Sequence, residues 1–168
     1  MTRFLRFLLS ISIVVFSCIL LTGCLSSPPD AESVDARFQN NYEDIQIVVD
    51  FVIDSEYQDI HINTTDGMMW ADFETVEISN EEVNSAINRL LGRSFWGDRQ
   101  YLAIYKSGHT ISLPQWSGPQ DNGCGVACYI TEVMLPRIEY CTELTPLSQT
   151  GWYYYVDDYN AWRVGKRP

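Results

Sequence analysis

The spacing of apolar residues changes at Gly92, and that change constrains the fold more than any other feature of the sequence. Before it, Tyr42, Ile45, Val48, Val49 and Val52 recur at three- and four-residue steps between Asn40 and Ser55, the period of an amphipathic helix. Asn40 with Glu43, or Asn41 with Asp44, supplies a box-like start signal. A second helix is expected from Ser79, paired with Glu82, through Leu91. Its buried stripe is Val83, Ala86, Ile87 and Leu90, and Gly92 stops it. Beyond Gly92 the period falls from 3.6 to 2, which is that of strands with one buried face.

The strands follow from that period and from turn residues. "DIHINTTDG" alternates Ile60 and Ile62 with polar neighbours and turns at Asp66-Gly67, and "MMWADFETVEIS" is expected to be extended. "YLAIYKSGHTISL" predicts a hairpin turning at Ser107-Gly108. "GVACYITEV" and "RIEYCTEL" predict two more strands joined near Leu135-Pro136, and "GWYYYV" a last strand before a polar tail. The expectation is an α+β fold, two helices packed on one face of an antiparallel meandering β-sheet, formed by residues 37–168 as a single domain. A meander needs only short loops. The exception is "PQWSGPQDNG", residues 114–123, which reads as a long connection carrying Trp116, and long connections carry function more often than short ones.

The N-terminus has a different character. Arg3 and Arg6 precede an apolar stretch of 14 residues, 7–20, which ends in Leu21, Thr22 and Gly23. That is the layout of a secretory signal, and the stretch is shorter than the ~20 residues a spanning helix needs. Leu21-Thr22-Gly23-Cys24 resembles the lipobox of bacterial lipoproteins. The resemblance implies cleavage before Cys24, lipidation of its thiol, and a protein anchored at the extracytoplasmic face of a cell membrane. Acyl chains contribute about 0.8 kcal/mol per buried methylene, and more than one is needed for stable anchoring. Residues 24–36, with Ser26, Ser27, Pro28, Pro29, Asp30 and Glu32, are then expected to form a polar tether.

Charge narrows the partners. The chain has 11 basic residues, of which Arg3 and Arg6 leave with the signal, and 22 acidic ones, so residues 24–168 carry a net −13. That argues against nucleic acid and anionic headgroups as partners, since both require a basic face. It suits a cationic partner, and equally a domain kept soluble by like charge. Five Trp and ten Tyr exclude disorder for most of the chain and serve either a core or a binding surface.

Three cysteines remain after Cys18 and Cys24, an odd number, so at least one is unpaired. A hairpin turning at Met134-Leu135 would set Cys128 opposite Cys141, at the ~5 Å of facing strand residues, within disulfide range. Cys124 with Cys128 would require the backbone to turn at Gly123 and Gly125, and buried free thiols are the remaining reading. C-x-x-x-C spacing with only His61 and His109 as imidazoles does not suit a metal, and no cofactor is expected besides the lipid on Cys24.

The nucleophile elbow, the P-loop, the dinucleotide fingerprint and the H-E-x-x-H pair are all missing from the sequence. Asp157 and Asp158 read as a solvated turn. Three functions survive, led by an acidic, monomeric, non-enzymatic interaction module for a cationic envelope or secreted protein. The second is a carbohydrate or small-ligand binder that uses Trp116 with Trp96 or Trp152 as a stacking surface. The third is an enzyme centred on His109 and Cys124, or on carboxylates.

Overall fold

The computed structural model describes residues 28–92, 100–118, 122–131 and 134–168. Helix α1 (Ala31–Asn40) starts where the Asp30 carboxylate accepts the Ser33 amide at 2.8 Å, and it buries Val34 and Phe38. Residues 31–36, expected in the tether, are therefore helical. With only Val34 and Phe38 as an i, i+4 apolar pair, the segment lacked a stripe dense enough to read. Asn41 separates α1 from α2 (Tyr42–Asp54), and its side chain donates to the Arg37 carbonyl of the preceding helix instead of capping its own.

The strands are β1 (Asp59–Ile62), β2 (Met68–Ala71), β3 (Glu74–Glu77), β4 (Ile104–Ser107), β5 (Thr110–Ser117), β6 (Asn122–Tyr129), β7 (Cys141–Pro146) and β8 (Trp152–Asp158). Helix α3 (Glu81–Leu91) lies between β3 and β4. Its cap is Asn80, whose side chain accepts the Glu82 and Val83 amides, one residue after the expected Ser79. Helix α4 (Tyr159–Arg163), which the periodicity did not signal, follows β8 and is capped by the Asp158 carboxylate. The fold is α+β, with four helices among the described residues where two were expected.

All eight strands form one antiparallel sheet in the order β3-β2-β1-β4-β5-β6-β8-β7. One face carries Ile60, Ile62, Met69, Ile104, Ile111, Leu113, Val126 and Tyr154, which share a core with Val34, Phe38, Ile45, Val48, Val52, Val83, Ile87 and Leu90 of α1, α2 and α3. Lys106 also points to this face, where its ammonium donates to the Val52 carbonyl at 2.9 Å and closes the C-terminal end of α2. No helix among the described residues is long and apolar enough to cross a membrane.

Two connections depart from the expected meander. "MMWADFETVEIS" is not one extended segment but the hairpin of β2 and β3, with Asp72 and Phe73 at φ 42° and 77°. Strands β6 and β7 are not hairpin partners, because β8 lies between them, antiparallel to both. They are consequently parallel to each other, and a parallel pair requires a crossover. The crossover is made by residues 134–140, running over the face of the sheet opposite α1, α2 and α3, where Tyr140 packs on Tyr159 and Trp162 of α4. The Arg137 amide donates to Thr110 Oγ1 of β5 at 3.0 Å, and the Tyr140 carbonyl accepts the Asp158 amide of β8 at 3.1 Å. Tyr140, at φ 56°, turns the chain into β7. The supposed long loop at 114–123 is mostly strand, with a bulge between Pro114 and Trp116; residues 119–121 lie outside the described set.

Candidate functional site

Strand alternation decides which side chains reach the face that no long helix covers. Across the ladder, His61 stands beside Trp70 and Tyr105, Tyr105 beside Ser112, Gly125 beside Pro114 and Tyr155, and Gly123 beside Ser117 and Asp157. The crossing segment closes over part of this face and makes a groove of about 600 Å³. Tyr105, Ser112, Pro114 and Tyr155 form its floor. Trp116, Gly123 and Asp157 line one end, and Arg137, Ile138 and Glu139 belong to the crossing segment above.

The ionisable groups of the groove are biased toward acid. Burial raises the Tyr105 and Tyr155 hydroxyls, so both stay neutral and can donate at physiological pH. Burial also raises the Asp157 carboxyl, and the neighbouring Asp158 charge adds to the rise, while the backbone amides of Asp157 and Gly123 oppose it. Asp157 Oδ1 is sealed from solvent with no hydrogen-bond partner. It lies against Gly123, where an added Cβ would stand 2.6 Å from it. The open face continues past Tyr105 to His61, whose ring stacks on Tyr105 at 4.4 Å, and to Trp70, 43% exposed. Phe73, 87% exposed at the hairpin tip, meets the Trp70 ring edge-on at 5.7 Å.

The structure brings together few of the residues singled out from the sequence. Trp116 lines the groove and also packs against the core. Trp152 does not join it: only 6% exposed, it faces the helices and packs on Phe38 with ring centroids 4.8 Å apart. A stacking surface of Trp116 with Trp152 is thereby ruled out. Trp96, the alternative stacking partner, and Cys24 lie outside the described residues.

The expected Cys128–Cys141 bridge is also corrected. Cys128 pairs with Ile111 and Trp152 on the helix side, whereas Cys141 faces Asp157 on the opposite side of the sheet, and all three described cysteines are free thiols. The bridge required a β6–β7 hairpin, which the intervening β8 forbids. Burial pushes the Cys124 thiol up to about 11 and that of Cys128 to about 12, so neither is a nucleophile at neutral pH. His109 packs on Tyr129, five residues along β6 from Cys124, or about 17 Å at strand rise, so the His109–Cys124 centre is not assembled. Among the described residues no three His, Cys, Asp or Glu side chains converge as a metal site requires.

Sequence reasoning missed Tyr105, Tyr155 and Asp157. The alternation in "WYYYVDD" did carry the signal, since it sets Tyr153, Tyr155 and Asp157 on one face and Trp152, Tyr154 and Val156 on the other. Which face the helices would cover is a tertiary fact absent from that string. Asp157, read as part of a solvated turn, is a half-buried strand residue instead. No protein-family model matches the chain, and no curated protein or solved structure is significantly similar to it.

Proposed function

We propose that this chain is a lipoprotein, anchored through Cys24 at the extracytoplasmic face of the cell membrane, whose acidic domain is a monomeric, non-enzymatic interaction module for a basic envelope or secreted protein. The observation that carries this reading is the open face of the sheet, where Tyr105, Tyr155 and Trp116 share a groove with two carboxylates, Asp157 and Glu139, against a single guanidinium, Arg137. Aromatic side chains dominate the energetics of protein interfaces. Carboxylates beside them select for basic partners through on-rate and register. The net −13 of residues 24–168 adds long-range attraction of the same sign.

The test is capture on immobilised residues 25–168 at about 0.1 M and about 1 M salt, where the screening length falls from about 10 Å to about 3 Å. The expected result is a stoichiometric basic protein held at low salt, released at high salt, and refused by a Ser112→Arg domain whose groove floor is blocked. Retention by Ser112→Arg, or no partner at either salt, overturns the reading. A second reading, a free small ligand in the same groove, is favoured by its volume, which falls in the range typical of ligand pockets. Quenching of Trp116 fluorescence by a glycan panel, without any captured protein, supports it.

A further inference from the structure

We propose that Asp157 is a recognition site for a lysine side chain, the ammonium of the partner protein's lysine pairing with this carboxylate at the end of the groove. The inference rests on the reading of the open face as a protein-binding surface and names the chemistry that the surface recognises.

One oxygen of the carboxylate has lost solvent, and the group has gained no counterion. Asp157 Oδ1 is sealed against the Gly123 backbone without a side-chain donor, and the polar groups acting on the carboxylate are the backbone amides of Gly123 and Asp157. Among the described residues no lysine or arginine makes an ion pair with Asp157, although Arg137 lines the same groove; the pair that does form, Arg89 with Asp44 at 2.6 Å, lies on α3 and α2. A desolvated charge without a partner costs free energy in the unbound fold. A cation that enters the groove meets an acceptor whose hydration is already partly removed, so the Coulombic gain is weakly offset by further desolvation of Asp157.

The geometry also selects among cations. With Oδ1 sealed, the carboxylate of Asp157 cannot offer both oxygens to a ligand in the groove that this residue lines. A guanidinium gains most from two parallel hydrogen bonds to both oxygens of a carboxylate, and that fork cannot be satisfied here. An ammonium is a compact charge that needs only one acceptor. Its four-carbon stem can lie over Pro114 and the Tyr105 and Tyr155 rings on the floor, which suits an aliphatic chain ending in a cation.

The experiment uses a short neutral peptide carrying one lysine, with its norleucine and arginine counterparts, titrated into residues 25–168 and followed by amide NMR shifts. The lysine peptide is expected to move the Gly123, Tyr155 and Asp157 amides, the arginine peptide to bind more weakly, and the norleucine peptide not to bind. Asp157→Asn should weaken the lysine peptide about tenfold or more, the scale of losing one partner of a close charge pair. Equal binding of lysine and norleucine, undiminished binding to Asp157→Asn, or shifts confined to the His61 and Trp70 region overturns the proposal. The two readings fail separately. If Asp157→Asn still captures the salt-sensitive protein, the module stands and the lysine site falls. If the lysine peptide binds through Asp157 but no protein is captured, the site stands and the module falls.

Discussion

Asp157 is where one residue sets local recognition against stability. Its carboxyl is raised above the ordinary 3.8 by burial, so between 3.8 and that raised value the folded chain holds more proton than the unfolded one. Stability therefore falls as pH rises through that window. Asp157→Asn removes the penalty. Thermal melts should show the variant roughly 2–5 °C more stable than the parent at pH 7, with the gap closing as pH drops toward the carboxylate range. A variant less stable at pH 7 would mean that the charge supports the fold. Two glycines nearby differ sharply. A Cβ at Gly125 would stand 2.3 Å from the Leu113 carbonyl and 2.7 Å from Pro114 Cα, both backbone atoms, so Gly125→Ala is expected to cost about 1–3 kcal/mol, measured by urea melts. At Gly123 the nearest obstacle is the Asp157 side chain itself, so Gly123→Ala should displace the carboxylate and weaken the lysine peptide at a smaller cost in stability. None of this was legible in "NGCG", because close approach depends on which strands become neighbours.

Among the elements, those whose signal is local were readable. The stripe Val83, Ala86, Ile87, Leu90 gave α3 to within a residue or two, and the two-residue period after Gly92 gave strands among β4 to β8, though not their pairing. The β6–β7 pairing failed because two successive strands in sequence need not be neighbours in the sheet. The chain of β8 inserts between them, and only the finished ladder reveals it. The link between β4 and α2 is equally non-local: Lys106 crosses the core to bond the Val52 and Ser55 carbonyls at 2.9 and 3.3 Å. A lysine in the strand pattern "IYKS" gave no hint of that partner. Lys106→Met keeps the apolar stem but leaves the end of α2 unsatisfied. It should destabilise the domain by about 1–3 kcal/mol in denaturant melts, the scale of a buried acceptor losing its donor. An unchanged midpoint would mean that water replaces the ammonium.

At the scale of the whole molecule, charge and attachment combine. The acidic excess disfavours contact with anionic headgroups, so under the proposed anchoring the lipid on Cys24, and not the domain surface, would hold the domain near the membrane. Mass spectrometry of the fragment starting at Cys24 is expected to find a diacylglycerol adduct; an unmodified thiol there removes the anchor from the account. The Tyr154 hydroxyl donates to the Pro29 carbonyl at 3.0 Å, so the chain is fastened to the fold from Pro29 onward. Between Cys24 and that point five residue steps can span at most about 17 Å, little more than the ~14 Å radius of gyration of a domain this size. The proposed lipid on Cys24 would therefore give the domain a short leash. So tethered, it would swivel above the bilayer without rising far from it, and the partners within its range would be those that travel along the membrane plane or come down to it.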